Sequence, residues 1–430
     1  MPEANSNPQP TDAILGGQTP APYQGAILGG IEGIQQKLNH EDLSVRLEAV
    51  DQAWSYGTAG LGCLHQALSD RSKLVRRRSR WLLRQPQDLP LINLPLWNLT
   101  ERFDCLGNNH GGLFRGHVEQ FAGRQVWEFD REQALPSPQQ FAYAFRCDYD
   151  DEDDSVADQI DVLLGMPGAE LTEALVIGAW VGGESVSTGD STAQTIVESL
   201  VALRDRFPNL KALFLGDIES EECEISWIIQ SDMSPVLQAF PQLEVLQVRG
   251  GEGLRIDPTL GLSRHENLKA LILETGGLSR STVEQIYEWE FPALEHLELW
   301  FGSPSYGGDC WDRDLLPLLE DLKFPNLTYL GLRNSGFADE IAAMIVRSPL
   351  LAGLQVLDLS LGTLTDAGAQ HLLDCAAIRD LETLNVSASY LSGAMIDQLR
   401  ALGIQVLAHE QREEDDYEEP SYRRYCVVSE

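Results

Sequence analysis

The chain has 430 residues, enough for two or three structural units, and 43% of them are hydrophobic, which suffices for packed interiors. Seven scattered cysteines without a C-x-x-C pair argue against a disulfide framework or a zinc site and favour a reducing, cytoplasmic location. No apolar run approaches the roughly 20 residues of a membrane helix, and residues 1–10 predict no secretory signal.

Negative charge is concentrated in the later part of the chain. Residues 1–146 contain 14 Lys and Arg against 15 Asp and Glu, whereas residues 147–430 contain 17 against 51. Such an acidic surface repels nucleic acid and anionic lipid. We therefore expect a basic protein partner, and neither nucleic acid nor a membrane.

The first segments predict a leader and a small helical unit. Residues 1–30 are rich in Pro, Gly, Gln and Ser, which is typical of a flexible leader. Residues 31–85 have helical periodicity, and Val45-Arg46 recurs 30 residues later as Val75-Arg76. This D-x-x-V-R pattern resembles short HEAT-like repeats. The basic run at 71–84 favours a protein contact, inside or outside the chain, over nucleic acid.

A connecting segment is predicted over residues 86–155. Its prolines interrupt helices, and the alternation over 117–129 around a glycine predicts a β-hairpin. The acidic run 148–154 that follows is typical of a solvated connector.

Residues 156–408 carry a repeated L-x-x-L-x-L motif. It starts at Leu210, Leu243, Leu268, Leu294, Leu327, Leu354 and Leu381. Each copy predicts a short strand whose leucines enter a shared core, with neighbouring strands parallel. Amphipathic segments return the chain between strands, at 281–289, 339–347, 366–375 and 393–402.

This pattern resembles the leucine-rich-repeat proteins of the ribonuclease-inhibitor class. The resemblance implies an α/β horseshoe, with parallel strands and convex-side helices, here preceded by the small all-α HEAT-like unit. Gly or Ser stands after each strand where that class has Asn or Cys, so we expect no buried side-chain ladder there.

Two longer motifs, 221–227 (EECEISW) and 249–253 (RGGEG), are similar to a bacterial leucine-rich-repeat family of no established activity. That resemblance extends from about residue 117 to the end of the chain and implies fold and cytoplasmic location, but no chemistry. Residues 409–430 are predicted to be an acidic C-terminal tail.

The concave face of the predicted sheet supplies one set of candidate residues. Side chains alternate along a strand, so the positions between and after the motif leucines face outward. The partner-binding candidates among them are Arg249, Glu274, Glu298, Trp300, Arg333 and Asp358. Exposed Trp and Arg are typical of interface hot spots. The alternative is that Arg249–Glu274 and Glu298–Arg333 merely pair across strands.

The loops after the strands supply a second set of candidates. They are Asp217, Glu221, Glu222, Trp227, Glu252 and Trp311. Nearby glycines permit close backbone approach to a ligand, and clustered carboxylates can bind a cation or act as acid and base. However, neither D-x-D-x-D-G nor a phosphate loop is present, and acidic runs are usually solvated. We therefore expect no metal and no cofactor.

These observations predict a monomeric, non-catalytic protein-interaction scaffold. Cys223, the thiol closest to the acidic loop, lies among glutamates that disfavour its thiolate, so we expect no catalytic residue. Two alternatives stay open. One is metal or small-molecule binding in the acidic, glycine-rich loops, and the other is a regulatory or chaperone role of the HEAT-like helices.

Overall fold

The computed structural model describes residues 30–83, 116–148, 155–181, 192–258, 263–320, 323–416 and 423–428. The chain divides into one unit that ends at Ile92 and a second that begins at Asn93. Residues 1–29 of the predicted leader and residues 149–154 of the predicted acidic run lie outside the described residues, as do 84–115. Across the described residues, no helix is long and apolar enough to cross a membrane.

The described part of the first unit contains four helices: α1 (Gly30–Leu38), α2 (Leu43–Ser55), α3 (Leu61–Ala67) and α4 (Lys73–Leu83). Their apolar faces share a core that includes Val50, Leu64 and Val75. Arg46, almost fully buried, pairs with Asp70 at 2.9 Å, and Asp70 also accepts from the Ser72 amide just before α4. The assignment of these helices as HEAT-like repeats stays a prediction.

The second unit is built on one sheet of twelve described strands in chain order. The strands are β1 (Gln120–Phe121), β2 (Arg124–Glu128), β3 (Phe141–Phe145), β4 (Ala174–Ile177), β5 (Ala212–Leu215), β6 (Val245–Arg249), β7 (Ala270–Glu274), β8 (His296–Gly302), β9 (Tyr329–Ser335), β10 (Val356–Asp358), β11 (Thr383–Asn385) and β12 (Gln405–Leu407). β1 and β2 pair antiparallel around Ala122 and Gly123, and every later pair is parallel. The sheet thus begins well before residue 156.

The second motif leucine of each repeat explains the register of the sheet. These leucines are hydrogen-bond-register partners from strand to strand: Leu213, Leu246, Leu271, Leu297, Leu330, Leu357 and Leu384. Each is fully buried, in a core that also includes apolar residues of the connecting helices. The predicted α/β leucine-rich-repeat architecture is therefore confirmed.

Eight described helices connect the strands. They are α5 (Val156–Leu164), α6 (Gln194–Ala202), α7 (Ser234–Ala239), α8 (Arg280–Glu288), α9 (Leu316–Glu320), α10 (Ala338–Ile345), α11 (Asp366–Asp374) and α12 (Gly393–Arg400). The hydroxyls of Ser279, Thr365 and Ser392 accept hydrogen bonds from first-turn amides of α8, α11 and α12. Such N-caps stabilise a helix start and explain why these helices begin where the sequence predicts.

A residue with positive φ lies at or near the end of β5, β6, β8, β9, β10 and β11. Glycine occupies this position at Gly216 and Gly302 (φ +99° and +65°), whereas Asn334, Leu361 and Ala388 adopt φ of +50°, +67° and +50°. A left-handed residue turns the chain sharply out of the strand, at a cost for residues other than glycine. We call the turns that begin at Gly216, Gly250, Gly302, Asn334, Leu361 and Ala388 the strand-end edge.

Candidate functional site

The six concave-face candidates lie side by side but are buried. Register pairs Arg249 with Glu274 and Trp300 with Arg333. All six are at most 5% exposed, so the expectation of an exposed Trp and Arg surface is wrong. Parallel strands only about 4.8 Å apart place these large side chains against one another. The cross-strand pairing that the sequence left as an alternative is what the structure contains.

Glu298, which is fully buried, is the centre of this polar layer. Its Oε1 accepts hydrogen bonds from Trp300 Nε1 and Arg333 Nη1, both at 2.7 Å. Its Oε2 lies 3.2 Å from both the Tyr329 hydroxyl and His296 Nε2. The His296 and Tyr329 rings stack at 3.8 Å. One carboxylate therefore ties together four side chains of β8 and β9.

Asp358 extends the layer onto β10. It accepts hydrogen bonds from the Tyr329 hydroxyl at 3.0 Å and Asn385 Nδ2 at 2.9 Å, and it lies 3.5 Å from Arg333 Nε. Burial by itself lowers the pKa of Arg333, but the carboxylates of Asp358 and Glu298 outweigh it and raise that pKa. The Arg333 guanidinium also lies 4.7 Å above the Trp300 ring. We call His296, Glu298, Trp300, Tyr329, Arg333 and Asp358 the Glu298 network.

Residues 423–428 cover part of this layer. The Val428 amide donates to Asn334 Oδ1 at 2.9 Å, and Asn334 Nδ2 donates back to the Val428 carbonyl. The Val427 amide donates to the Leu361 carbonyl at 2.9 Å. Val428 joins an apolar cluster with Ile225, Trp300, Leu361 and Ala388. A segment predicted to belong to an acidic tail thus packs on the strand-end edge. Its apolar sequence Cys-Val-Val was the available signal.

Arg412 anchors the same segment. Its guanidinium lies 4.2 Å from the centre of the Tyr425 ring and 5.2 Å from that of Tyr390, and its Nη1 donates to the Tyr425 carbonyl at 2.6 Å. The Tyr425 amide donates to the Tyr390 hydroxyl at 3.1 Å. The segment is therefore held by both polar and aromatic contacts.

Asp217, a loop candidate, is fully buried at the end of β5 and is a structural residue. It forms ion pairs with Arg146 and, at 3.7 Å, with Arg249. The Val118 amide donates to it at 3.2 Å. Arg249 in turn donates to Glu274 Oε2 at 2.9 Å. Its expected role as a ligand-contacting loop residue is wrong, because these partners enclose its carboxylate.

Three side chains that can each offer a ligand atom to a metal ion lie close together beside Asp217. His117 Nε2 lies 3.8 Å from Glu222 Oε1, and ligand atoms of His117, Glu219 and Glu222 all lie within 4.8 Å of one another. His117 was not singled out from the sequence, since it lies about 100 residues before the acidic loop and only the fold brings it there.

The other loop candidates are exposed. Trp227 and Trp311 are 56% and 52% exposed, among only six large hydrophobic side chains exposed in the described ranges. Glu221, Glu222 and Glu252 are also exposed. Trp227 follows β5 and Trp311 follows β8, so both lie in connections that leave the same end of parallel strands.

Two thiols are excluded as nucleophiles by their surroundings. Burial raises the pKa of Cys310 and of Cys426 to about 12, so almost no thiolate forms near neutral pH. We expect native protein and its Cys310→Ser variant to react with the same number of equivalents of a chromogenic disulfide reagent at mildly alkaline pH. In guanidinium the variant should lose one equivalent. If the folded Cys310→Ser variant reacted with one equivalent fewer than the folded unaltered protein, this assignment would be contradicted.

The chain is similar to several known proteins, although no family model matches it. Mouse monocyte differentiation antigen CD14 is 28% identical over 197 residues, or 45% of this chain and 51% of that protein. The chain thus spans about half the length of this curated relative. An internalin of Listeria monocytogenes is 12% identical, with a TM-score of 0.34 over 64% of this chain and 69% of that one.

A solved Bacteroides fragilis protein is 30% identical, with a TM-score of 0.57 over 68% of this chain and 78% of that one. In addition to this likeness, the chain itself has a parallel sheet in which the motif leucines are register partners. The chain belongs to the leucine-rich-repeat proteins.

Proposed function

We propose that the protein is a non-catalytic interaction module that binds a basic protein partner through exposed loops of the strand-end edge. The observation that carries the proposal is the exposure of Trp227 and Trp311 among acidic side chains at one end of the sheet. The six concave-face candidates are buried, so we assign them a supporting role instead.

The chemistry of these loops fits a partner with apolar pockets and positive charge. Tryptophan combines a large apolar area with one donor, and it is enriched where alanine substitution weakens protein interfaces most. Glu221 and Glu222 are exposed close to Trp227 in sequence. Glu252 is exposed in the next strand-end turn, after β6. Exposed carboxylates speed the association of a basic partner and disfavour acidic competitors.

The layer beneath these loops supports rigid presentation. The Glu298 network and the Asp217 ion pairs bind neighbouring strands to one another through buried, charged hydrogen bonds. A surface that is ordered before binding loses less conformational entropy on association. We infer that the module acts as a cytoplasmic monomer and belongs to the bacterial group whose EECEISW and RGGEG motifs it resembles.

A quantitative pull-down from lysate of the native organism tests the proposal. The double variant Trp227→Ala/Trp311→Ala should retain its main partner at least about tenfold less well, because two hot-spot tryptophans together contribute more than ~1.4 kcal/mol. Leu171→Ala is the matched control: Leu171 is 46% exposed but precedes β4, at the other end of the strands. Equal recovery with both variants would overturn the assignment of the strand-end loops.

A further inference from the structure

The loop after β5 and the segment before β1 together form a second, chemically distinct feature. We propose that His117, Glu219 and Glu222 bind one divalent transition-metal ion, of which zinc is the representative probe. The proposal goes beyond partner binding, and it revises the expectation of no metal that the sequence alone gave.

Two of the three side chains have the separation of ligands around one ion, and Glu219 offers a ligand atom within 4.8 Å of both. His117 Nε2 and Glu222 Oε1 are 3.8 Å apart, too far for a hydrogen bond. Zinc binds nitrogen and oxygen at about 2.0–2.2 Å, so two ligands of one ion are separated by roughly 3–4 Å. The Gly116 amide donates to Glu219 Oε2 at 2.7 Å and the Glu219 amide to Glu222 Oε2 at 2.9 Å. These bonds fix the direction of each carboxylate.

The charge of the cluster also calls for a cation. Within the described residues, neither Glu219 nor Glu222 forms an ion pair with Lys or Arg, whereas the adjacent Asp217 has Arg146 and Arg249. Two like charges in one site repel each other. The two carboxylates supply two negative charges, and one divalent ion carries the two positive charges that balance them.

The Asp217 carboxylate lies behind the histidine ring. Its Oδ2 lies 3.9 Å from His117 Nδ1, on the side of the ring opposite the Nε2 that approaches Glu222. His117 Nδ1 is buried and has no hydrogen-bond partner in the part of the chain that the structure describes. Asp217 Oδ2 and His117 Nδ1 are too far apart for a hydrogen bond in the structure, but the carboxylate lies on the side where a metal-binding imidazole ordinarily has an acceptor for its other N–H. This second observation is independent of the two glutamates.

The donor set selects the class of ion. An imidazole nitrogen favours zinc and its first-row neighbours, while calcium and magnesium prefer sites made of oxygen alone. Three protein ligands leave a further coordination position open. Because residues 116 and 117 would then be joined to the loop that ends at Trp227, bound metal would also hold that loop in place.

Calorimetric titration of the full chain with zinc, without a histidine tag, tests the site. We expect one ion per chain, and a loss of affinity of at least about tenfold in His117→Ala and in Glu222→Gln. The controls are Glu221→Gln, an equal charge change at the adjacent exposed residue, and His371→Ala, an exposed histidine on α11. Both should bind as the unaltered chain does.

Absence of zinc binding, or unchanged affinity in folded Glu222→Gln, would overturn the proposal. Because Glu222 is exposed, that variant decides the matter even if His117→Ala does not fold. X-ray absorption at the zinc edge should show nitrogen and oxygen neighbours, and a sulfur neighbour would equally refute this site. These measurements use the isolated chain, so their failure is separate from failure of the pull-down.

Discussion

Replacement of Arg333 by alanine is expected to lower the free energy of unfolding by about 3–5 kcal/mol, because it leaves two buried carboxylates without their cation. Glu298 and Asp358 are fully buried, and Arg333 lies 2.7 Å from the first and 3.5 Å from the second. Urea unfolding followed by tryptophan fluorescence measures the change. The effect arises from desolvated charge that cannot regain water in the folded state.

The control for this experiment is an arginine in an exposed pair. Arg264 bonds Glu266 at 2.7 Å and also pairs with Glu290, and about half or more of each of the three side chains is exposed. Exposed pairs contribute about 0–1 kcal/mol, so Arg264→Ala should change the urea midpoint little. Comparable losses in both variants would show that burial does not govern the strength of the Glu298 network.

Replacement of Gly302 by alanine is expected to cost at least about 2 kcal/mol. Gly302 has a φ of +65°, and a Cβ there would lie well inside contact distance of the Gly276 carbonyl in the neighbouring repeat. Both the backbone strain and the forced displacement oppose folding. Urea unfolding is again the measurement.

Gly393 provides the matched glycine. It begins α12, and a Cβ there would meet no atom within 4 Å. Gly393→Ala should leave stability unchanged or raise it slightly, since alanine is the better helix former and restricts the unfolded chain. If Gly302→Ala unfolds at the same urea concentration as Gly393→Ala, close approach of the repeats at Gly302 does not limit stability.

Much of the sheet could be predicted because its determinants are local. The leucine spacing sets strand position, and alternation assigns the faces, so Glu298 and Asp358 indeed lie in one column on either side of Gly331. Helix starts followed from single capping residues such as Ser279. Each of these inferences needs only a few consecutive residues.

Neither the burial of the concave-face side chains nor the position of His117 beside the acidic loop could be predicted, because both depend on residues that are distant in sequence. Trp300 is buried partly by Val428, and His117 reaches the acidic loop only through the pairing of the first strands. The strand-end turns at Asn334 and Leu361 could not be predicted either, because residues other than glycine adopt the left-handed conformation there. A side chain's orientation follows from its own strand, whereas its covering follows from the whole fold.

The docking of residues 423–428 has a consequence for how the solenoid folds. Repeat arrays ordinarily contact only their sequence neighbours and can unravel one repeat at a time from an end. Here Val428 bonds a residue 94 positions earlier, and Cys426 Sγ lies 3.4 Å from a carbonyl 124 positions earlier. Such long-range closure forms only after β8 to β11 exist, and it is slow to find. Force applied at the carboxyl end must therefore detach residues 423–428 before β11 and β10 can separate from the sheet.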